Sequence, residues 1–125
     1  MKKIILMLFI PLFLFSSEQD KSEFELAKQY YKDKNYNESA KLFLNLTMQN
    51  DIRSYSYLGE FSGLGLGGIK KDCQRTAMFL FSGMKEGDCR SIKIISDFYK
   101  NGVCVKKSEI KYKKYLKEYN KCIKK

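Results

Sequence analysis

Residues 52–65 read IRSYSYLGEFSGLG and residues 89–102 read CRSIKIISDFYKNG, and set one above the other they are copies of one pattern. Arg53, Ser54, Phe61 and Gly65 recur as Arg90, Ser91, Phe98 and Gly102. Asp51 and Glu60 recur as Asp88 and Asp97, which sets a period of 37. After the glycines the run Gly68-Ile69-Lys70-Lys71-Asp72 matches Cys104-Val105-Lys106-Lys107-Ser108 at a period of 36. The first loop therefore holds one extra residue within Leu66–Gly68. A repeat of this length signals a stack of helical hairpins, because one hairpin cannot bury its own apolar face.

Local signals agree with that reading. Asp51 and Asp88 are placed to cap A helices over 51–63 and 88–101, each ending at a Gly-bearing loop. Asp72 and Ser108 are placed to cap B helices running to about 86 and 122. In the last B helix, Tyr112, Tyr115, Leu116, Tyr119, Cys122 and Ile123 fall on one arc of about 120°. Lys113, Lys114, Lys117 and Lys121 fall opposite. Residues 22–50 predict a plainer hairpin: FELAKQYY as one helix, a polar loop KDKNYNE, and SAKLFLNLTM as the next, starting near Asn37 or Ser39. The expected fold is all-α, a short right-handed α/α solenoid of about three hairpins.

The N-terminus reads MKKIILMLFIPLFLFSS. Two lysines, an apolar run of 12 residues from Ile4 to Phe15, and two small serines form the pattern of a secretory signal peptide over residues 1–17. A helical run of that length covers about 18 Å, short of a bilayer core of about 30 Å. The expected location is therefore secreted or periplasmic. Export also changes how the charge is read. The whole chain carries +10, yet residues 17–99 hold 12 basic and 12 acidic side chains, whereas residues 100–125 hold 10 Lys and 2 Glu. The chain is a neutral body with one basic end. Nucleic acid is not an expected partner of an exported chain, and docking on an anionic surface, if it occurs, belongs to the last helix.

Four cysteines at 73, 89, 104 and 122 predict two disulfides in an exported chain. Cys89 and Cys104 flank one helix, which would hold them about 22 Å apart. Cys73–Cys89 and Cys104–Cys122 fail for the same reason, since bridged Cα atoms lie within about 7 Å. Cys73–Cys104 with Cys89–Cys122 remains. A zinc site built from all four lacks any Cys-x-x-Cys pair, and no metal is expected.

The stretch Leu58-Gly59…Gly65…Gly68-Ile69-Lys70-Lys71-Asp72…Lys85-Glu86-Gly87-Asp88 resembles the Sel-one-like repeat, and Tyr99…Gly102…Val105-Lys106-Lys107 resembles it again. Ala27…Tyr30-Tyr31…Tyr36…Ala40…Phe43 is similar to a tetratricopeptide unit. The resemblance divides the chain into a tetratricopeptide-like hairpin (18–50), one repeat (51–87), and a second repeat with a basic C-terminal cap (88–125). Ser62 departs from the pattern where an aromatic belongs, and Cys104 stands in place of the second loop glycine. Cysteine-rich secreted relatives of this kind imply penicillin binding or weak beta-lactamase activity as one possible chemistry. They also imply binding of a partner protein or peptide on the A-helix face.

The residues themselves give little support to catalysis. Histidine is absent, which removes Ser–His and Cys–His dyads and His-bound metal. Ser82…Lys85 and Ser108…Lys111 fit Ser-x-x-Lys, but with 11 serines and 21 lysines about two such matches arise from random placement. Lys-Thr-Gly is missing, and Ser96-Asp97 continues to Phe98. The cluster Gly63-Leu64-Gly65-Leu66-Gly67-Gly68 lacks the strand and the Gly-Lys-Ser/Thr ending of a phosphate loop. No catalytic residue and no cofactor is assigned. The expected function is non-enzymatic binding of another protein or peptide, with Tyr55, Tyr57 and Tyr99 on A helices as the candidate surface anchors and Lys113, Lys114, Lys117 and Lys121 as a basic patch.

Overall fold

The computed structural model describes residues 23–125, so the expected signal peptide over 1–17 lies outside the described residues. Six α-helices follow one another: α1 (23–32), α2 (Tyr36–Met48), α3 (Tyr55–Leu64), α4 (Cys73–Lys85), α5 (Cys89–Asn101) and α6 (Glu109–Ile123). No strand occurs among the described residues. The helices form three hairpins, α1/α2, α3/α4 and α5/α6, in a short solenoid-like stack where α3 packs on α2, α4 on α5, and α3 also reaches α5.

The repeat seen in the sequence is a repeat of hydrogen bonds. Leu66 N–H donates to Phe61 O at 3.0 Å as Val103 N–H donates to Phe98 O at 3.0 Å. Asp72 N–H reaches Ser62 O as Ser108 N–H reaches Tyr99 O, at 2.9 and 3.0 Å. At the helix ends, Asn50 and Gly87 both turn left-handed, with φ of 61° and 87°. Behind them Asp51 N–H and Asp88 N–H return to Leu46 O and Gly83 O. The extra residue of the first loop is Gly67. Its φ is +69°, and a Cβ there would stand 2.7 Å from Tyr36 O and 2.8 Å from Ala40 Cβ, so the longer loop lies directly against α2. Cys104 takes Gly68's place with φ 61°, a non-glycine held left-handed where the bridge to Cys73 anchors it.

Two details differ from the sequence reading. The first A helix opens with a 3-10 turn, Ile52–Ser54, before α3 begins. Asp51 causes this: it accepts from Arg53 N–H and grips the Arg53 guanidinium at 2.6 and 2.9 Å, which tightens the first turn. Helix α2 starts at Tyr36, earlier than Asn37 or Ser39. The left-handed turn at Lys34 closes α1, and Tyr36 packs edge-on against Tyr31 and Phe61. Ser39 is fully buried and donates to Ala27 O at 2.8 Å, linking α2 to α1.

The core is in two parts. An aromatic-rich cluster centred on Phe24, Phe43, Tyr57 and Phe61 joins the first two hairpins. A smaller, mainly aliphatic cluster of Leu80, Ile94, Ile95 and Phe98 joins the last two. Close approach of α3 to α4 depends on Gly59, where a Cβ would meet Leu80 Cδ2 at 2.6 Å. Disulfides join Cys73 to Cys104 and Cys89 to Cys122, with Cα atoms 5.3 and 5.6 Å apart. The first ties the start of α4 to the loop after α5 and the second ties the start of α5 to the far end of α6, and their presence fits an oxidising, extracellular type of environment. No described helix is long and apolar enough to cross a membrane.

Candidate binding grooves

The expected surface anchors do not share one face. Tyr57 is 8% exposed. It lies stacked on Phe43 at 4.2 Å between centroids and beneath the Arg90 guanidinium at 3.7 Å, so it is a core residue and not an anchor. The physical reason is the repeat itself. Arg53 lies 4.1 Å from the centroid of Phe24 on the preceding A helix, and Arg90 caps Tyr57 in the same manner. Tyr55 is half-buried beside Phe79, and Tyr99 is half-buried against Tyr115.

Arg90 also organises a polar cluster on the A-helix side. Its guanidinium donates to Glu60 at 2.7 Å, to the Ser56 hydroxyl at 3.1 Å and to Tyr31 Oη at 3.1 Å, while Tyr31 donates to Glu60 at 3.0 Å. Burial, then the Glu60 carboxylate, pushes the Tyr31 phenol up to about 12. Burial likewise raises the Tyr57 phenol. These bonds join Tyr31, Ser56, Glu60 and Arg90, so the cluster acts as a clamp between three successive A helices.

The lysines at 113, 114, 117 and 121 are all exposed on α6. Lys113 makes only a long contact to Glu109 at 3.8 Å. Helix α6 has no fully buried residue, and Ile123, expected on the arc with Tyr112, Tyr115 and Leu116, is 55% exposed. Of the two Ser-x-x-Lys matches, Ser82 is exposed on α4, and the Ser108 hydroxyl accepts the Lys111 N–H at 3.2 Å as the cap of α6. Asp72 caps α4 by accepting from Arg75 N–H at 3.1 Å. Asp88 sits at the start of α5, but its carboxylate takes the Ser91 hydroxyl at 2.7 Å instead of a backbone N–H.

Two surface grooves occupy equivalent places in the two repeats. The first is a cleft of about 370 Å³ among α2, α3, the following loop and α4. Leu44, Leu58, Ile69 and Phe79 make it apolar; Lys70 and Arg75 line its mouth; Ser62 lies at its floor. One period on, these residues become Phe81, Ile95, Val105 and Tyr115, then Lys106 and Lys111, and then Tyr99. The second groove is split. Its apolar slot measures about 90 Å³ and includes the Cys73–Cys104 bridge. Its basic mouth is a separate open depression of about 520 Å³ with Lys106, Lys107 and Lys111. Tyr99 and Val105 form the wall shared by both. Sequence reasoning missed both grooves, although the departure at Ser62 from an aromatic pattern was the signal that marked the difference between them.

Comparison with family models, with curated proteins and with solved structures finds no match to this chain.

Proposed function

We propose that this protein is exported and works as a disulfide-stapled helical-repeat receptor for a segment of another protein, in line with its resemblance to Sel-one-like repeats. The observation that supports this most is the recurrence of an apolar groove with a basic mouth at the same place in successive repeats. A repeat array bound to a partner uses equivalent surfaces of successive units, and groove residues that serve only packing have no need of a cationic rim. The two disulfides suit a small rigid receptor outside the cytoplasm, where little ordering entropy is lost on binding.

In-cell cross-linking of the tagged full-length chain, followed by mass spectrometry, tests the reading. The expected result is a short set of captured proteins that survives high salt. Capture confined to anionic lipid and lost with salt would move the function to the basic face of α6. Nitrocefin turnover by the oxidised protein, abolished by Ser82→Ala or Ser108→Ala, would replace binding with beta-lactam hydrolysis. Recovery of residues 18–125 from the extracellular or periplasmic fraction, shortened by the mass of the leader, checks export.

A further inference from the structure

The two grooves differ at one decisive position. In the second, the Tyr99 ring stacks on Tyr115 with centroids 5.6 Å apart and planes 2° from parallel. Lys111 Nζ lies 5.4 Å from the Tyr99 centroid. That ring thus meets an aromatic face and a cation, both carried by α6, and with Val105 it divides the apolar slot from the basic mouth. In the first groove Phe79 stands at the Tyr115 position and Arg75 at the Lys111 position, but Ser62 supplies no ring to meet them. Phe79 turns to a tilted contact with Tyr55 at 5.9 Å. The Ser62 hydroxyl is buried and has no hydrogen-bond partner among the described residues. The slot and the mouth remain one continuous cleft.

Resting on the receptor reading above, we infer that the first groove takes an aromatic side chain from an acidic segment of the partner, and that this ring occupies the place Tyr99 fills in the next repeat. Phe79 offers the stacking face and Arg75 the cation, a combination that favours a ring over an aliphatic side chain. Charge complementarity sets the flanking chemistry. Lys70, Lys71 and Arg75 are exposed, and among the described residues none of them stands in an ion pair. Asp72, at the start of α4, is committed to the cap of that helix through Arg75 N–H. A partner segment with carboxylates beside its ring meets Lys70 and Arg75 at the mouth, with the exposed Lys71 next in the chain.

The test uses the full oxidised chain and fluorescence-labelled capped heptapeptides: acidic with a central phenylalanine, acidic with a central alanine, and basic with a central phenylalanine. The acidic phenylalanine peptide is expected to bind at least about tenfold more tightly than either of the others. Ser62→Tyr, which gives the first groove the second groove's ring, is expected to abolish that preference. Phe79→Ala is expected to weaken the phenylalanine peptide and leave the alanine peptide unchanged, whereas Arg75→Gln is expected to weaken both acidic peptides, the phenylalanine peptide more. They keep the test decisive if the larger side chain at 62 disturbs folding. Equal binding of the phenylalanine and alanine peptides, or full binding by Phe79→Ala, overturns the groove assignment. If the Ser62→Tyr chain still captures the same proteins in cells, the receptor reading stands and only this site is wrong. If the native chain captures none, the receptor reading itself falls.

Discussion

Arg90 combines an ion pair, hydrogen bonds and ring contacts in one side chain. It pairs with Glu60 where both side chains are largely shielded, at 26% and 15% exposure, and its guanidinium plane covers Tyr57. Arg90→Ala would leave Glu60 without its charge partner and strip a face from the aromatic core. Removal of one member of a shielded pair costs more than a surface ion pair is worth, so a loss of about 2–4 kcal/mol is expected in urea unfolding of the oxidised protein. Arg90→Lys should recover only part of this, since an ammonium cannot stack and fork at once. The same cluster sets a pH response. Tyr31 titrates at about 12 when folded against an ordinary 10.0. A raised pKa means that the contribution is complete below pH 10 and is lost as pH rises towards 12, because the folded cluster resists ionisation that the unfolded chain accepts. The melting temperature of Tyr31→Phe should therefore fall less steeply across that window than that of the native chain. Parallel slopes would show that the phenol is not coupled to folding.

At the scale of elements, caps and turns carry the repeat. Asp72 and Ser108 each answer a backbone N–H in the first turn of a long helix, and replacement of either by Ala is expected to cost about 1 kcal/mol. Chemical unfolding of the two variants measures it, and Asp88→Ala provides the contrast because Asp88 bonds the Ser91 hydroxyl instead of a backbone donor. Helix order, these caps and the extra loop residue were legible because they rest on local rules: periodicity, N-cap chemistry and glycine's left-handed turn. The disulfide pairing was legible too, since rigid helices hold the other pairs too far apart. Tyr57 was not legible. Its exposure depends on Arg90, 33 positions later in the chain, and helical periodicity alone places a tyrosine on a face without saying what covers that face. The grooves were hidden for a related reason. Ser62 announced a missing ring, but only packing against Leu44 of the preceding hairpin turns a missing ring into a cleft.

For the whole molecule, stability is divided unevenly along the stack. The first two hairpins share an aromatic core in which Phe43 and Phe61 are completely buried. Both disulfides lie toward the other end, where α4, α5 and α6 meet, the core is smaller and α6 contributes no fully buried residue. The covalent ties thus sit where hydrophobic burial is weakest. Each closes a loop of about 30 residues, and the loss of either should cost about 3 kcal/mol in the chain-entropy picture. The consequence differs by position. Cys89–Cys122 pins the far end of α6 to the start of α5, so its loss should free α6 while the aromatic core holds. Hydrogen exchange on the Cys89→Ser/Cys122→Ser chain is expected to show fast exchange in Glu109–Ile123 and protection close to native in α2 and α3. The basic charge follows the same division, since the 10 lysines of residues 100–125 repel one another around a thinly packed helix. Added salt should therefore restore part of the α6 protection in this variant and change little in α2 and α3. Uniform acceleration of exchange across all six helices would mean instead that the stack unfolds as one unit, with the two cores fully coupled through α3, α4 and α5.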